Sequence, residues 1–359
     1  MGYKIALISD IHFGCRNNSE TYLEIIKKLL TETFLDVLDN QKITDVRILG
    51  DLFDCRNNIN VRTLSVAMDA FRWYKTNRPN VKFKILLGNH DIYYKNRIDV
   101  NSIDCLRHIG NIEIIDKVTT ETINGKKIIT YPWLVPGGNE HTHFLSTSSN
   151  DVFYDLCLGH FEVRGFEISR GTYDTENLPI SAFKNFKKVF TGHYHIRNTI
   201  DNVTYLGCPF QQNWGDYGDD KGINIWDIDE EKHTFIKNDK SPEFVKVFIN
   251  DVETKNMTIL KKIKGNHIKF MIDKKVDESW LIKARAKLES MESLTFEVEN
   301  TIIDSIVEDS DIDITKISDP FSLLMECVEN LDIDEDGIDK TELKSYLMEI
   351  YSESLKEGD

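Results

Sequence analysis

At 359 residues, 40% of them hydrophobic, the chain exceeds the usual single-domain size and can bury a sizeable core, so one large domain with one or two smaller appendages is expected. No apolar stretch approaches bilayer-spanning length, and Met1-Gly2-Tyr3-Lys4 enters an apolar run without a signal-peptide layout, which argues for a soluble, cytoplasmic protein. Six scattered cysteines with no C-x-x-C pair argue against a disulfide framework or zinc knuckle, and a net charge of -16 argues, on its face, against a nucleic-acid partner.

Strand-length apolar runs at Tyr3–Ser9, Asp45–Leu49 and Lys82–Leu87 alternate with amphipathic segments at about residues 19–39 and 61–76, the alternation of βαβ units. Each run ends in a polar loop, and open α/β sheets gather their active sites where such loops converge, at the carboxyl ends of the strands. A hairpin at Glu121–Tyr131 turning on Asn124-Gly125 follows, then strands at Asp155–Leu158, Lys188–Phe190 and Val203–Leu206, which predicts a mixed sheet or two packed sheets. Between them, His141-Thr142-His143 has ligand-like spacing but follows Pro136-Gly137-Gly138, and reads as exposed histidines in a polar loop. After about residue 245 come strand Val245–Ile249, a helix, strand His267–Ile272, helix Glu278–Ser290 and strand Leu294–Val298, a small α+β unit. An acidic link at 301–319 leads to two amphipathic stretches, Phe321–Leu331 and Lys340–Leu355. Asp332-x-Asp334-x-Asp336-Gly337 imitates a calcium loop, but Leu343 stands where the loop's last carboxylate is required, so an EF-hand is rejected.

The charge is unevenly spread. Residues 301–359 hold 18 Asp and Glu against 4 Lys and Arg, so residues 1–300 carry 42 acidic against 40 basic groups, nearly neutral. Within 251–290 the balance reverses to 10 basic against 6 acidic, with Lys261, Lys262, Lys264, Lys274 and Lys275 as candidate phosphate contacts or simply a solvated surface.

Five short motifs fall at strand ends: Asp10-Ile11-His12, Gly50-Asp51-Leu52-Phe53-Asp54, Gly88-Asn89-His90-Asp91, Gly159-His160 and Gly192-His193-Tyr194-His195. Two divalent ions held close together need a bridging carboxylate, imidazoles and further oxygens, and these loops supply Asp, Asn and His in that proportion. Any one of the motifs is a weak signal; five in order, each after a predicted strand, are a strong one.

In these motifs, over roughly residues 3–230, the sequence resembles the calcineurin-like metallophosphoesterases. The resemblance implies an α/β (α+β) fold, a sandwich of two mixed β-sheets flanked by helices. It further implies that Asp10, His12, Asp51 and His195 hold one metal, that Asp51, Asn89, His160 and His193 hold the other, and that a two-metal hydroxide mechanism hydrolyses a phosphoester. His90 would sit over the leaving group as proton donor or charge stabiliser, with Asp54 orienting it. The oxygen- and nitrogen-rich donor set suits Mn2+ or Mg2+, and the family favours Mn2+.

Within that superfamily the appendages resemble the SbcD-type nuclease subunits of SbcCD complexes, of the meiotic-recombination type, including the phage recombination endonuclease subunits. On that resemblance, 1–244 is the nuclease domain, 245–300 a DNA-contacting capping domain, 301–319 a linker and 320–359 a helical hairpin that docks an SMC-like ATPase of SbcC type. Leu324, Val328, Leu343, Tyr346, Leu347 and Ile350 would make the ATPase contact, from two apolar stripes at helical period. The implied function is DNA exo/endonuclease activity in double-strand-break processing and recombination, in a homodimer within a heterotetramer, pairing near residues 61–76 and 100–109 through side chains such as Leu64, Met68, Phe71 and Trp73. Two departures stand out: Asp54 replaces the His common in archaeal and eukaryotic relatives, and Gly207-Cys208-Pro209 replaces Gly-Ser-Pro. The alternatives are a small-molecule or phosphoprotein phosphoesterase, which has no use for the tail, and a metal-free scaffold, which has no reason to keep the full donor set.

Overall fold

The computed structural model describes residues 2–302, Val328 and 340–354. Two compact units divide at Val245/Lys246.

The larger unit holds two six-stranded mixed sheets. The first runs, edge to edge, Lys232–Lys237, Gly222–Asp227, Lys4–Ile8, Asp45–Leu49, Lys82–Leu86 and Ile112–Ile115; the second runs Asn198–Ile200, Val203–Tyr205, Phe186–Gly192, Tyr154–His160, Lys126–Thr130 and Thr119–Ile123. Alternation along each strand sorts the apolar side chains into layers. In Lys4–Ile8, Ile5 and Leu7 face the other sheet and join Leu49, Leu86, Leu156, Leu158 and Phe190 in the core between the sheets. Ala6 and Ile8 face the opposite way, against Tyr22, Ile26, Phe34, Ala67 and Phe71 from the helices covering the first sheet. The outer face of the second sheet is covered by Phe144, Phe161 and Phe183. This is the expected sandwich of two mixed sheets flanked by helices.

Parallel pairing sets the positions of the loops. Lys4–Ile8, Asp45–Leu49 and Lys82–Leu86 are parallel and in step, Ile8 opposite Ile48 and Ile48 opposite Ile85, so their carboxyl ends leave the sheet together. In the second sheet Tyr154–His160 and Phe186–Gly192 are parallel with His160 opposite Gly192. The hairpin turns on Asn124 (φ 49°) and Gly125 (φ 80°), the two positive φ values that a tight two-residue turn requires.

Three differences from the sequence reading are physical. The helix expected over 19–39 is Glu20–Lys28 and Leu35–Gln41 joined by a π-helical stretch, Leu29–Phe34, which buries Leu29, Leu30 and Phe34. The polar loop expected around His141 is a helix, Asn139–Ser149, anchored by buried Phe144 and Thr147; a stripe of two residues in a Ser- and Thr-rich segment is too sparse to be read as amphipathic. Phe71, offered as part of an exposed pairing face, is a core residue, while Leu64, Met68 and Trp73 pack partly buried against the same core.

In the smaller unit, strands Phe244–Phe248, His267–Ile272 and Thr295–Asn300 form a sheet in that order, with the last two parallel. Helix Glu278–Glu289 starts at Asp277, whose side chain accepts from the Trp280 amide at 3.0 Å, and buries Ala284 and Leu288. Lys261, Lys262, Lys264, Lys274 and Lys275 are exposed; Lys264 pairs with Glu292 and Lys274 with Glu253 at 2.6 Å. Lys340–Ser354 is helical, with Leu343 and Leu347 half-buried and Tyr346 exposed, and Val328 is buried. Most of the acidic link, Leu324, the calcium-loop imitation and the side chain of Ile350 lie outside the described residues. Among the described residues no helix is long and apolar enough to cross a membrane.

Candidate metal centre

The five strand-end motifs converge at the carboxyl edge of both sheets. Asp10, His12 and His195 bring ligand atoms within 4.8 Å of one another, and so do Asp51, His160 and His193. Asn89 joins the second group, its Oδ1 lying 3.1 Å from His160 Nε2 and 2.9 Å from His193 Nδ1. Asp51 lies between the groups: Oδ2 is 3.3 Å from His160 Nε2 and 3.8 Å from His12 Nε2. All seven residues offered as ligands from the sequence are therefore in one place, together with His90 and Asp54.

The local backbone is strained to achieve this. Asp10, His12, Asp51 and His193 all adopt positive φ, at 55°, 51°, 51° and 98°. Non-glycine residues avoid that region, and such strain collects at functional sites, where the surrounding structure holds it in place. The motif glycines serve close approach. A Cβ on Gly88 would lie 2.1 Å from Asp51 Oδ1, and one on Gly192 would lie 1.8 Å from Ser9 Oγ.

The donor set fits divalent cations. His12 Nε2 faces His195 Nε2 at 3.2 Å, a geometry natural for two imidazole lone pairs aimed at one ion. His160 Nδ1–H donates to the Leu49 carbonyl at 2.7 Å, which leaves Nε2 as the donor atom and is the outer-shell arrangement common for ligating histidines. Burial pushes Asp10 up and His12 well down. Burial would also raise Asp51, but His160, His12 and His90 hold it far below the usual carboxylate range; burial would lower His160, yet Asp51 and Asp10 push it up to about 9. Without cations, a proton on His160 thus balances buried carboxylates, the task a divalent ion would take over.

The structure brings Asp54 and His90 together with His12, the ligand atoms of the three lying within 4.8 Å of one another. His90 Nδ1 meets the main-chain carbonyl of Asp54 at 2.6 Å, and the His90 amide donates to Asp51 Oδ1 at 2.9 Å. The Asp54 carboxylate lies 3.4 Å from His12 Nδ1, a buried atom with no hydrogen-bond partner. Asp54 therefore bonds to His90 through its backbone carbonyl and holds its carboxylate near both His90 and His12.

Several supporting residues carried no separable sequence signal. Asp91, fully buried, accepts from the amides of Gly88 (2.9 Å), Leu52 (3.1 Å) and Phe53 (3.2 Å), tying the second and third loops together. Burial, then the neighbouring Asp51, push it up to about 7. Gln212 Nε2 donates to the Asp10 carbonyl at 2.7 Å, and buried Lys221 donates to the His195 carbonyl at 2.7 Å and to Asp216 at 2.6 Å. Only Asp91 stood inside a motif; the others reach the site from the far side of the chain by folding.

The profile of the calcineurin-like phosphoesterases matches residues 3–197. Exonuclease subunit 1 of Enterobacteria phage T4 is 29% identical over 240 residues, 66% of this chain and 68% of that protein. A putative phosphoesterase of Invertebrate iridescent virus 3 is 30% identical over 218 residues, 59% of this chain and 58% of that protein, so the chain spans less than two thirds of that relative. A solved archaeal phosphodiesterase shares 14% identity at a TM-score of 0.33, over 66% of this chain and 99% of that one, a likeness that carries no argument.

Proposed function

The chain belongs to the calcineurin-like phosphoesterase family, and from that premise we propose that it is a metal-dependent DNA exo/endonuclease, the nuclease subunit of an SbcCD-type complex for double-strand-break processing and recombination. The observation that carries the reading is the pair of donor groups meeting at Asp51, in a chain similar to a phage exonuclease subunit. Asp10, His12, Asp51 and His195 would hold one ion and Asp51, Asn89, His160 and His193 the other. The oxygen- and nitrogen-rich, thiolate-free donor set suits manganese or magnesium, and the family resemblance favours manganese.

Bound there, the ions would neutralise phosphoryl oxygens and activate water. The chain's own residues do the rest. Because a carbonyl only accepts, His90 Nδ1 carries a hydrogen toward Asp54 O, and Nε2 is the atom left to meet the leaving oxygen. As imidazolium it would donate a proton there or stabilise the developing charge. Asp54 beside His12 Nδ1 would orient that ring, and Asp91 would hold the second and third loops in step.

In this reading, residues 1–244 are the nuclease domain, 245–300 a capping domain whose exposed lysines contact DNA phosphates, 301–319 a linker and 320–359 the ATPase-binding tail, in a protein acting in the cytoplasm as a homodimer. The test is manganese-dependent degradation of linear duplex DNA against a panel of small phosphodiesters. Cleavage of DNA supports the nuclease reading; turnover of the small esters alone would replace it with a small-molecule phosphoesterase. Leu347→Asp is expected to abolish co-purification with an SbcC-type ATPase while sparing cleavage of short single strands by the isolated subunit.

A further inference from the structure

A cavity of about 280 Å3 opens beside the candidate metal centre, with His160 in its wall. Trp133 forms one side. Its ring lies 5.3 Å from that of His193 and 5.8 Å from that of His160, and its amide donates to the Leu87 carbonyl at 2.8 Å, which pins it to the strand end. Leu178 and Pro179 add further apolar lining, and the Leu178 amide is bonded to the Glu162 carbonyl at 3.2 Å. Apolar walls that include an indole suit a planar aromatic ring, and stacking on an aromatic side chain is how proteins hold unpaired bases.

The polar lining is one-sided. Glu162 and Glu176 offer carboxylates. Asn177 spends one of its two side-chain N–H hydrogens on Asp174 at 2.7 Å, which leaves the other as a donor and Oδ1 as an acceptor. His141 Nδ1 accepts from the Gly137 amide at 3.2 Å, so the neutral ring carries its hydrogen on Nε2, the second side-chain donor among these four against two carboxylates and an amide oxygen. Acceptors outnumber donors, which favours a ligand edge rich in N–H groups. Adenine and cytosine present an exocyclic amino group where thymine presents a carbonyl oxygen and a methyl. The two carboxylates also repel phosphate, so a polynucleotide backbone is kept out of the cavity. A base that enters belongs to the nucleotide whose phosphate is at the metal centre.

We propose that this cavity is a subsite for the base of the nucleotide at the metal centre, with Trp133 as its stacking surface and with preference for bases that bear an exocyclic amino group. The proposal rests on the phosphoesterase reading of the centre and deepens it, making one base, rather than a groove of backbone contacts, the element read beside the ions.

The experiment is calorimetric binding to the full-length, manganese-loaded protein of inorganic phosphate, deoxyribose 5-phosphate, dAMP, dCMP and dTMP. Phosphate and deoxyribose phosphate should bind alike; dAMP and dCMP should bind on the order of tenfold tighter than deoxyribose phosphate, with dTMP between. Trp133→Ala should bring dAMP to the deoxyribose phosphate level while phosphate binding stays unchanged, and Trp133→Phe should restore most of the difference. Glu176→Gln, at an exposed position, should narrow the gap between dAMP and dTMP without altering phosphate binding. Base-independent binding, or a Trp133→Ala protein that still prefers dAMP, overturns the subsite alone. Failure of phosphate itself to bind overturns the metal-centre reading and the subsite with it.

Discussion

Replacing Gly88 by alanine isolates the contact that joins the second and third loops. The new Cβ would stand 2.4 Å from the Asp51 main-chain nitrogen and 2.1 Å from Asp51 Oδ1. An ordinary contact begins at 3.4 Å, so the backbone nitrogen alone requires 3.4 − 2.4, a displacement of 1.0 Å, and the carboxylate more. Gly88 does not have positive φ, so the penalty is steric rather than conformational. Overpacking of this kind costs roughly 1–3 kcal/mol, and a shift of about 1 Å at the reacting groups costs about a hundredfold in rate. The same clash displaces the Asp51 carboxylate, whose Oδ2 lies 3.3 Å from His160 Nε2, and should weaken manganese binding. The assay is manganese-dependent hydrolysis of a nitrophenyl phosphodiester together with a manganese titration. Gly110→Ala, whose Cβ would meet only Lys75 at 3.8 Å and 3.9 Å, serves as the inert control. A Gly88→Ala protein within about threefold of wild type in rate, with unchanged metal affinity, would refute the claim that this apposition sets the centre.

Asp51→Ala or His195→Ala should remove hydrolysis while leaving the protein folded, and manganese-dependent activity above about a tenth of wild type in Asp51→Ala would defeat a shared bridging role. Asp91 is pushed up to about 7 from an ordinary 3.8, so between those values the metal-free native state binds more protons than the unfolded chain and its stability falls as pH rises. Asp91→Asn lacks that component, so chemical denaturation with metal chelated should show the wild-type advantage shrinking from pH 4 to pH 7; a pH-independent difference would contradict the assignment. Lys221→Met leaves Asp216 buried without its cation and takes one donor from the His195 carbonyl, which keeps the Cys208 amide at 3.3 Å; it should cost roughly 3–5 kcal/mol in urea unfolding, and a loss under about 1 kcal/mol would show the pair to be dispensable.

The carboxyl-end motifs were legible because their signals are local. An apolar run of strand length followed by Gly-Asp or Gly-Asn-His is visible without knowing what it packs against, and the parallel pairing of Ile8 with Ile48 and Ile48 with Ile85 then brings Asp10, Asp51 and Asn89 to one edge. The same locality explains the reading of Asn124-Gly125, whose residue types announce the turn. The helix at Asn139–Ser149 escaped because only Phe144 and Thr147 of its residues are buried, too few to show a period. Asp54 was legible as a site residue beside His90, but that its backbone carbonyl is the atom meeting His90 Nδ1 depends on loop geometry that no motif encodes. Gln212, Asp216 and Lys221 lie outside the motifs and reach Asp10 and His195 only through contacts between residues far apart in the chain. Which side chains bear the chemistry was thus set by residue type and spacing, both properties of a short segment, whereas the partners that orient them were decided by tertiary packing, because a buried polar atom must take whatever complementary group the fold brings within about 3 Å.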